Sequence, residues 1–478
     1  MISFVMRIST RAGKARKAEP QGTMEVKFGT SGLRGLVTEL TPELVRAYIA
    51  AFLRACPYGT GLFVARDLRS SSPRIAANVI AAAQARGVQV YDCGAVPTPA
   101  LALAAIRAGA GAVMVTGSHI PADRNGLKFY TPEGEITKAE ESAILASLGQ
   151  TGIAMTGAGT VTPTDPSPDF VARYATAFGS SALVGQRIGV WSHSAVGRDL
   201  LIKTLTVLGA EVVEVARAAH FIPIDTESIP PELRSLLAEA CTAHGLAAIA
   251  STDGDGDRPL LADGTGQIVP GDVLGQITTR FLGGRIVVTP VSSNTGVESM
   301  GFAQVIRTKI GSPFVIAGME RAADDRVVGY EANGGFILGF DANGPAGPLP
   351  RLMTRDSHLP ICAVLMQAGS EGLAALVARG PKRFTAADRL QDVQPERSTA
   401  LLVQIEKQPD LFLAGFGDTK LAACDTTDGL RLTLTSGRIV HLRPSGNAPE
   451  LRIYVEAESP AAAQALLATG LELLHHAL

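Results

Sequence analysis

The chain has 478 residues, of which 46% are hydrophobic, and its formal net charge is −2. That length holds roughly three or four domains. The balanced charge provides no overall field for nucleic acid or an anionic membrane surface, so a phosphorylated ligand must be met by local arginines. Five cysteines, at positions 56, 93, 241, 362 and 424, lack CxxC spacing, which argues against a zinc site or a disulfide framework and fits a reducing cytoplasm. No apolar run approaches the roughly 20 residues that span a bilayer; the longest, near 94–115, is broken by Pro97, Pro99 and Arg107.

Residues 1–23 carry Arg7, Arg11, Lys14, Arg16 and Lys17 against Glu19 and read as a basic, disordered extension rather than a transit peptide. Patterned sequence begins after Met24. Gly61–Ala65 reads as a strand, Pro73–Arg86 as a helix and Val88–Tyr91 as the next strand. Ala112–Val115 is a strand that ends on a turn at Ser118. The Thr, Gly and Pro content of Gln150–Ser167 marks a linker. Arg187–Trp191, Leu200–Leu208 and Glu211–Val215 repeat the theme, and Gly245–Ser251 is a strand leading into an acidic turn. Asp263-Gly264 signals a hairpin turn. Arg285–Thr289, Val297–Gln304 and Gln304–Thr308 continue the alternation, Gly339–Arg351 is a loop, and beyond Phe384 two alternating strands, Leu430–Thr435 and Arg438–Leu442, mark a smaller α+β unit. The expected division is 24–155, 166–262, 266–380 and 381–478. Alternating strands and helices predict α/β units with mixed or parallel sheets, whose ligands sit outside the carboxyl ends of strands.

Both chemical motifs fall at such ends. Asp253, Asp255 and Asp257 alternate with Gly254 and Gly256. Two carboxylates about 4 Å apart repel by roughly 4 kcal/mol at an effective dielectric near 20, a cost that a divalent cation removes. An all-oxygen set with open positions suits Mg²⁺ shared with a phosphate. The loop is not an EF-hand, because Arg258 and Gly264 stand where Gly and Glu are needed, and Pro259 breaks a dinucleotide fingerprint. The bland alternative is a solvated acidic turn. Thr116-Gly117-Ser118-His119 lacks the flanking glycines of a hydrolase elbow, which leaves Ser118 as a phosphate carrier or a helix cap. Asn125-Gly126-Leu127-Lys128 follows, with a lysine that can reach back to that loop. Phe28 to Gly35, with Arg34, and Arg443-Pro444-Ser445-Gly446-Asn447 combine arginine, hydroxyls and free N–H groups as anion cradles. Glu331-Ala332-Asn333-Gly334-Gly335 is a polar loop suited to sugar hydroxyls. A hydroxyl, a hard-metal cradle and anion loops together point to phosphoryl transfer.

In this order the five segments resemble the α-D-phosphohexomutase superfamily from about Met24 to the C-terminus. The likeness is greatest to bacterial phosphomannomutases, whose T-G/A-S-H-x-P and N-G-x-K pattern stands here as Thr116 to Lys128. The resemblance implies a four-domain phosphohexomutase-like architecture, three mixed α/β domains and a smaller C-terminal α+β domain around a central cleft. It implies a reversible shift between mannose 6-phosphate and mannose 1-phosphate through phosphorylated Ser118 and a hexose 1,6-bisphosphate. Ser118, Asp253, Asp255 and Asp257 would hold Mg²⁺. Arg34, His119, Lys128 and Arg258 would surround the moving phosphate, Glu331 and Asn333 would meet the sugar, and Arg443, Ser445, Gly446 and Asn447 would hold the other phosphate. Lys309 is a candidate for proton transfer. The expected setting is cytoplasmic, as a monomer or weak homodimer acting on hexose phosphates, with neither nucleic acid nor membrane as partner. Ile120 replaces the usual Asn, Asn447 a Thr, and Asn333 and Gly335 the Ser and His of a common G-E-x-S-G-H loop; Gly335 is expected to leave open room. Phosphoglucomutase and phosphoglucosamine mutase are the rival activities, with a metal-dependent sugar phosphatase and a non-catalytic sensor further off.

Overall fold

The structure, a computed structural model, describes residues 26–29, 31–150, 158–322, 326–417, 420–445 and 449–478. The expected extension 1–23 lies outside them, as do Gly446 and Asn447.

The described chain builds four principal sheets in sequence order. In the first, Leu62–Arg66 lies parallel between Val90–Ala95 and Gly111–Val115, and Arg124–Thr131 closes antiparallel on Gly111–Val115. Gly111–Val115 is buried along its whole length, as a strand covered on both faces requires. The helix Pro42–Ala55 that covers one face starts on Thr41, whose hydroxyl accepts from the Leu44 N–H, with proline in its first turn. In the second sheet Arg187–His193 runs parallel to Glu211–Arg217 and to Ala248–Thr252, which turns back antiparallel into Pro259–Asp263. The third pairs Ile286–Pro290 parallel with Gln304–Thr308 and Val327–Tyr330, then adds Phe336–Leu338 and Leu352–Asp356 antiparallel. The fourth is wholly antiparallel, from Phe384–Gln391 to Leu421–Asp425, with the helix Pro460–Ala477 against it. Three mixed α/β units and a last α+β unit are the architecture the sequence predicts.

Three segments differ from expectation. Val161–Pro163, inside the expected linker, is an exposed edge strand parallel to Val90–Ala95. Val297–Gln304 does not hold a full helix; a short 3-10 helix, Thr295–Ser299, precedes the strand instead. The loop Gly339–Arg351 contains a small ladder between Ala342–Asn343 and Pro348–Leu349.

One apolar cluster joins the first three units, with Leu103, Leu201, Leu274, Val328 and Leu359 all buried in it, whereas Leu432, Leu442, Ile453 and Leu474 form a separate core in the fourth. Among the described residues no helix is long and apolar enough to cross a membrane.

Candidate active site

The strand Gly111–Val115 delivers Ser118 into a turn, and a buried arginine shapes that turn. The Ser118 N–H donates to Thr116 Oγ1 at 2.7 Å, and Thr116 Oγ1 donates to Asp67 at 2.7 Å. Arg69, 1% exposed, donates to Asp67 at 3.2 Å and to the carbonyls of Ser118, Ile120, Pro121 and Arg124 at 2.6–2.9 Å. The Phe221 ring covers its guanidinium at 4.1 Å. Ser118 itself has φ 51°, a left-handed conformation that costs a non-glycine residue about 1–2 kcal/mol and persists where its surroundings over-determine it. Ser118 therefore caps no helix. Sequence reasoning missed Asp67 and Arg69; the available signal was an acid and a base two residues apart at the carboxyl end of Leu62–Arg66.

The acidic loop links Ala248–Thr252 to Pro259–Asp263, and Asp253, Asp255 and Asp257 are all fully buried. One oxygen from each lies within 4.8 Å of the others. Asp253 Oδ1 accepts the N–H groups of Gly256, Asp257 and Arg258 at 3.1–3.2 Å. Asp253 Oδ2 accepts the Ser118 hydroxyl at 2.8 Å. Gly256 makes the curl, with φ 78° and no room for a Cβ, which would stand 2.7 Å from Pro97. Lys128 Nζ donates to Asp255 Oδ2 at 2.6 Å and to Asp257 Oδ2 at 2.5 Å, so it reaches the carboxylates themselves. Thr98 adds a bond to Asp255 at 2.7 Å, and Arg355 an ion pair to Asp257 at 2.8 Å.

The second oxygens, Asp255 Oδ1 and Asp257 Oδ1, are buried without a hydrogen-bond partner. Such orphaned acceptors cost about 1–3 kcal/mol each, and free carboxylate oxygens are the donor set a hard divalent cation takes. Burial and the neighbouring Asp255 and Asp257 push the Asp253 carboxyl well above its usual range. Burial works against the Asp255 carboxylate too, but Lys128 overrides it and holds that group well below.

His119 Nδ1 lies 3.3 Å from Ser118 Oγ; burial, with Arg258 beside it, pushes its imidazole down to about 3. Arg258 in turn faces Asp225 at 3.9 Å. Arg34 sits on the strand Leu33–Leu36, in register with Gly126 and so beside the strand of Lys128; burial brings it down to about 10.

At the sugar-loop candidate, Glu331 is 4% exposed. Its Oε2 accepts from Asn333 Nδ2 at 2.8 Å, and its Oε1 is buried without a partner. Asn333 Oδ1 accepts the Gly335 N–H at 2.9 Å, and Thr226 donates to the Asn333 carbonyl at 3.1 Å. Asn333 thus has two partners inside its own loop. The expected open room at Gly335 is absent: a Cβ there would stand 2.7 Å from Arg355 Cδ. Arg355 was not singled out from sequence; it is a strand-end arginine with no motif around it.

At the fourth unit, Arg443 Nε donates to Asp428 Oδ2 at 2.9 Å, and the Ser445 N–H donates to the Glu450 carbonyl at 2.8 Å. Lys309 is exposed, and its neighbour Ile310 donates its N–H to the same Asp428 oxygen at 2.9 Å. These contacts place Lys309 next to Arg443.

Comparison with known proteins gives these contacts a context. Models of the phosphoglucomutase/phosphomannomutase domains match this chain: α/β/α domain I over residues 25–152, α/β/α domain III over 271–384 and the C-terminal domain over 376–471. A phosphomannomutase of Sinorhizobium fredii is 43% identical over 474 residues, which cover 95% of this chain and all of that protein. The chain belongs to the phosphoglucomutase/phosphomannomutase family. It is an enzyme of that family, an isomerase, and phosphomannomutase-like along nearly its whole length. A phosphomannomutase of Salmonella muenchen is 42% identical, with 91% of this chain and 92% of that one covered. The fold matches a phosphomannomutase structure from Thermus thermophilus, described as putative, with a TM-score of 0.73 at 24% identity over 94% of this chain and 99% of that one.

Proposed function

We propose that this phosphohexomutase interconverts mannose 6-phosphate and mannose 1-phosphate, with Ser118 as the phosphate carrier. The observation that carries the reading is the bond from Ser118 Oγ to Asp253, beside two buried carboxylate oxygens that have no partner. A phosphate on Ser118 adds about two negative charges and three acceptor oxygens. Mg²⁺, held by Asp253, Asp255, Asp257 and the phosphoserine, supplies Lewis-acid neutralisation of that charge when bound.

In the forward direction the bond from phosphorus to Ser118 Oγ breaks as a bond to the free sugar hydroxyl forms, and the hydroxyl proton ends on Ser118 Oγ, which is left as the free serine. The product is a hexose 1,6-bisphosphate. It turns end for end, and its other phosphate returns to Ser118. Arg34, His119, Lys128 and Arg258 line the transfer, with the arginines and lysine screening charge on the equatorial oxygens. Glu331 Oε1, unpartnered, accepts a sugar hydroxyl, while Asn333 holds Glu331 in place. Arg443 exchanges Asp428 for the non-reacting phosphate, aided by Ser445, Gly446 and Asn447. Lys309, the candidate for proton transfer, lies beside Asp428 and Arg443, so in that role it would act on the sugar end held there. The working units are 24–155 together with the edge strand Val161–Pro163, 166–262, 266–380 and 381–478, in a cytoplasmic enzyme whose partners are hexose phosphates.

The test is a coupled assay with mannose 1-phosphate, glucose 1-phosphate and glucosamine 1-phosphate side by side, together with peptide mass spectrometry of the purified protein. Highest kcat/KM for mannose 1-phosphate and a phosphate on Ser118 support the reading. Release of inorganic phosphate without isomerisation would favour a phosphatase and overturn it.

A further inference from the structure

Arg355 stands where three sheets meet. Its side chain is 3% exposed. One terminal nitrogen lies 2.8 Å from Asp257 Oδ2 and 3.2 Å from Ser31 Oγ; the other lies 3.9 Å from Glu331 Oε2, and Nε lies 3.7 Å from Glu135 Oε1. Asp257 belongs to the acidic loop of the second sheet, Glu135 to the first sheet and Glu331 to the third. Burial opposes a charge here, yet Asp257, Glu135 and Glu331 hold the guanidinium firmly protonated. The aliphatic stem fills a second role. A Cβ on Gly335 would stand 2.7 Å from Arg355 Cδ and 3.0 Å from its Cγ, so the stem occupies the space that a side chain at position 335 would need. Gly335 is not held at positive φ, so space rather than backbone conformation keeps it bare.

We infer that Arg355 is a positioning residue that ties Glu331 to the acidic loop. One terminal nitrogen is held by Asp257 at 2.8 Å while the other presents its charge to Glu331 at 3.9 Å, a two-ended reach that a lysine ammonium, a single point charge, cannot reproduce. The Glu331 oxygen facing Arg355 is the one already held by Asn333, so the opposite oxygen is left without a partner. Hydroxyl recognition and the metal-ligand carboxylate are thereby set as one rigid unit. The inference rests on the reading of Glu331 as the sugar contact.

The experiment is a double-mutant cycle on the full chain with Gly335→His and Arg355→Ala, plus Arg355→Lys. Each variant is measured for kcat/KM with mannose 1-phosphate, for Mg²⁺ affinity by calorimetry and for melting temperature. Arg355→Lys should stay folded, lose about 10²-fold in kcat/KM, as truncated positioning contacts do, and bind Mg²⁺ more weakly. Gly335→His alone should lower both melting temperature and activity. The combined variant should melt above Gly335→His, because the histidine then has the vacated space, but should not regain kcat/KM, because nothing then joins Asp257 to Glu331. Wild-type kcat/KM and Mg²⁺ affinity in Arg355→Lys, or a combined variant that melts no higher than Gly335→His, would overturn the inference. A wild-type enzyme inactive on hexose phosphates would remove the proposed function and this inference with it. An active wild type with a strictly additive cycle would remove this inference alone.

Discussion

The Ser118 hydroxyl donates to Asp253 Oδ2 across 2.8 Å, although 135 positions separate the two residues in the chain. The contact joins the carboxyl ends of strands in two different sheets, so neither loop has this geometry by itself. Position 118 is also a strained point that Arg69 locks from behind.

Removing the hydroxyl should therefore stop turnover and little else. Ser118→Ala is expected to lower kcat by several orders of magnitude, the scale found when a nucleophile is deleted. Its melting temperature should stay close to wild type, since Arg69 binds backbone carbonyls that the substitution keeps. Initial rates and a thermal melt check this; near-normal mutase activity would end the covalent reading.

The metal should be required for turnover but not for folding. Lys128 and Arg355 already supply two positive charges to the triad. Chelation is expected to abolish activity with the near-ultraviolet circular dichroism unchanged, and added Mg²⁺ to restore it without refolding. Asp255→Asn should weaken Mg²⁺ binding in calorimetry. Full turnover in excess chelator would exclude the metal role.

At the sugar loop, Glu331→Ala should reduce kcat/KM by about 10²-fold or more, roughly 3 kcal/mol. Asn333→Ala should cost less, because Glu331 loses an anchor and not its own oxygen, and should change the ratio of mannose to glucose turnover. Steady-state kinetics on both sugar phosphates decide it: unchanged rates and ratio in both variants would remove this loop as the reader.

Asp272 predicts a pH effect on stability. Its carboxylate accepts the Asn294 N–H at 2.7 Å, while burial pushes its pKa up to about 6. A folded-state value above the unfolded one means that stability present at low pH is lost as pH rises from about 4 through 6. The loss approaches about 3 kcal/mol, at roughly 1.4 kcal/mol per unit. Asp272→Asn should match wild type near pH 4 and exceed it at pH 7.5, as read by denaturant melts at both values. Parallel stability profiles for the two proteins would contradict this.

The parts of the site that were legible in sequence are those made by neighbours in the chain. Three aspartates spaced by glycines announce a cation loop wherever they fold, and Thr116 to Lys128 keeps its spacing. Arg69 and Arg355 were not legible, because an isolated arginine at a strand end acquires meaning only from what the fold brings to it. Gly335 misled for the same reason: a missing side chain reads as empty space until the chain that fills it is known. The edge strand Val161–Pro163 escaped notice because it is exposed and carries no buried alternation, its place being fixed by backbone pairing alone. The short 3-10 segment Thr295–Ser299 is set by contacts outside it, including the Thr295 N–H to Glu456 at 3.0 Å.

The separate core of the fourth unit has a mechanical consequence. Polar contacts join it to the third unit: Glu456 accepts the Thr295 N–H, the Arg383 carbonyl accepts from Asn294 Nδ2, and Asp428, which also holds Arg443, accepts the Ile310 N–H. Swinging this unit outward would break these latches while both apolar clusters remain closed. Asp428 is moreover bonded to the arginine assigned to the incoming phosphate. A ligand that draws Arg443 away from Asp428 loosens one latch as it docks, and its departure lets the latch re-form. If the proposed bisphosphate turns round in the site, a swing of the fourth unit is the movement that leaves both of these apolar cores intact.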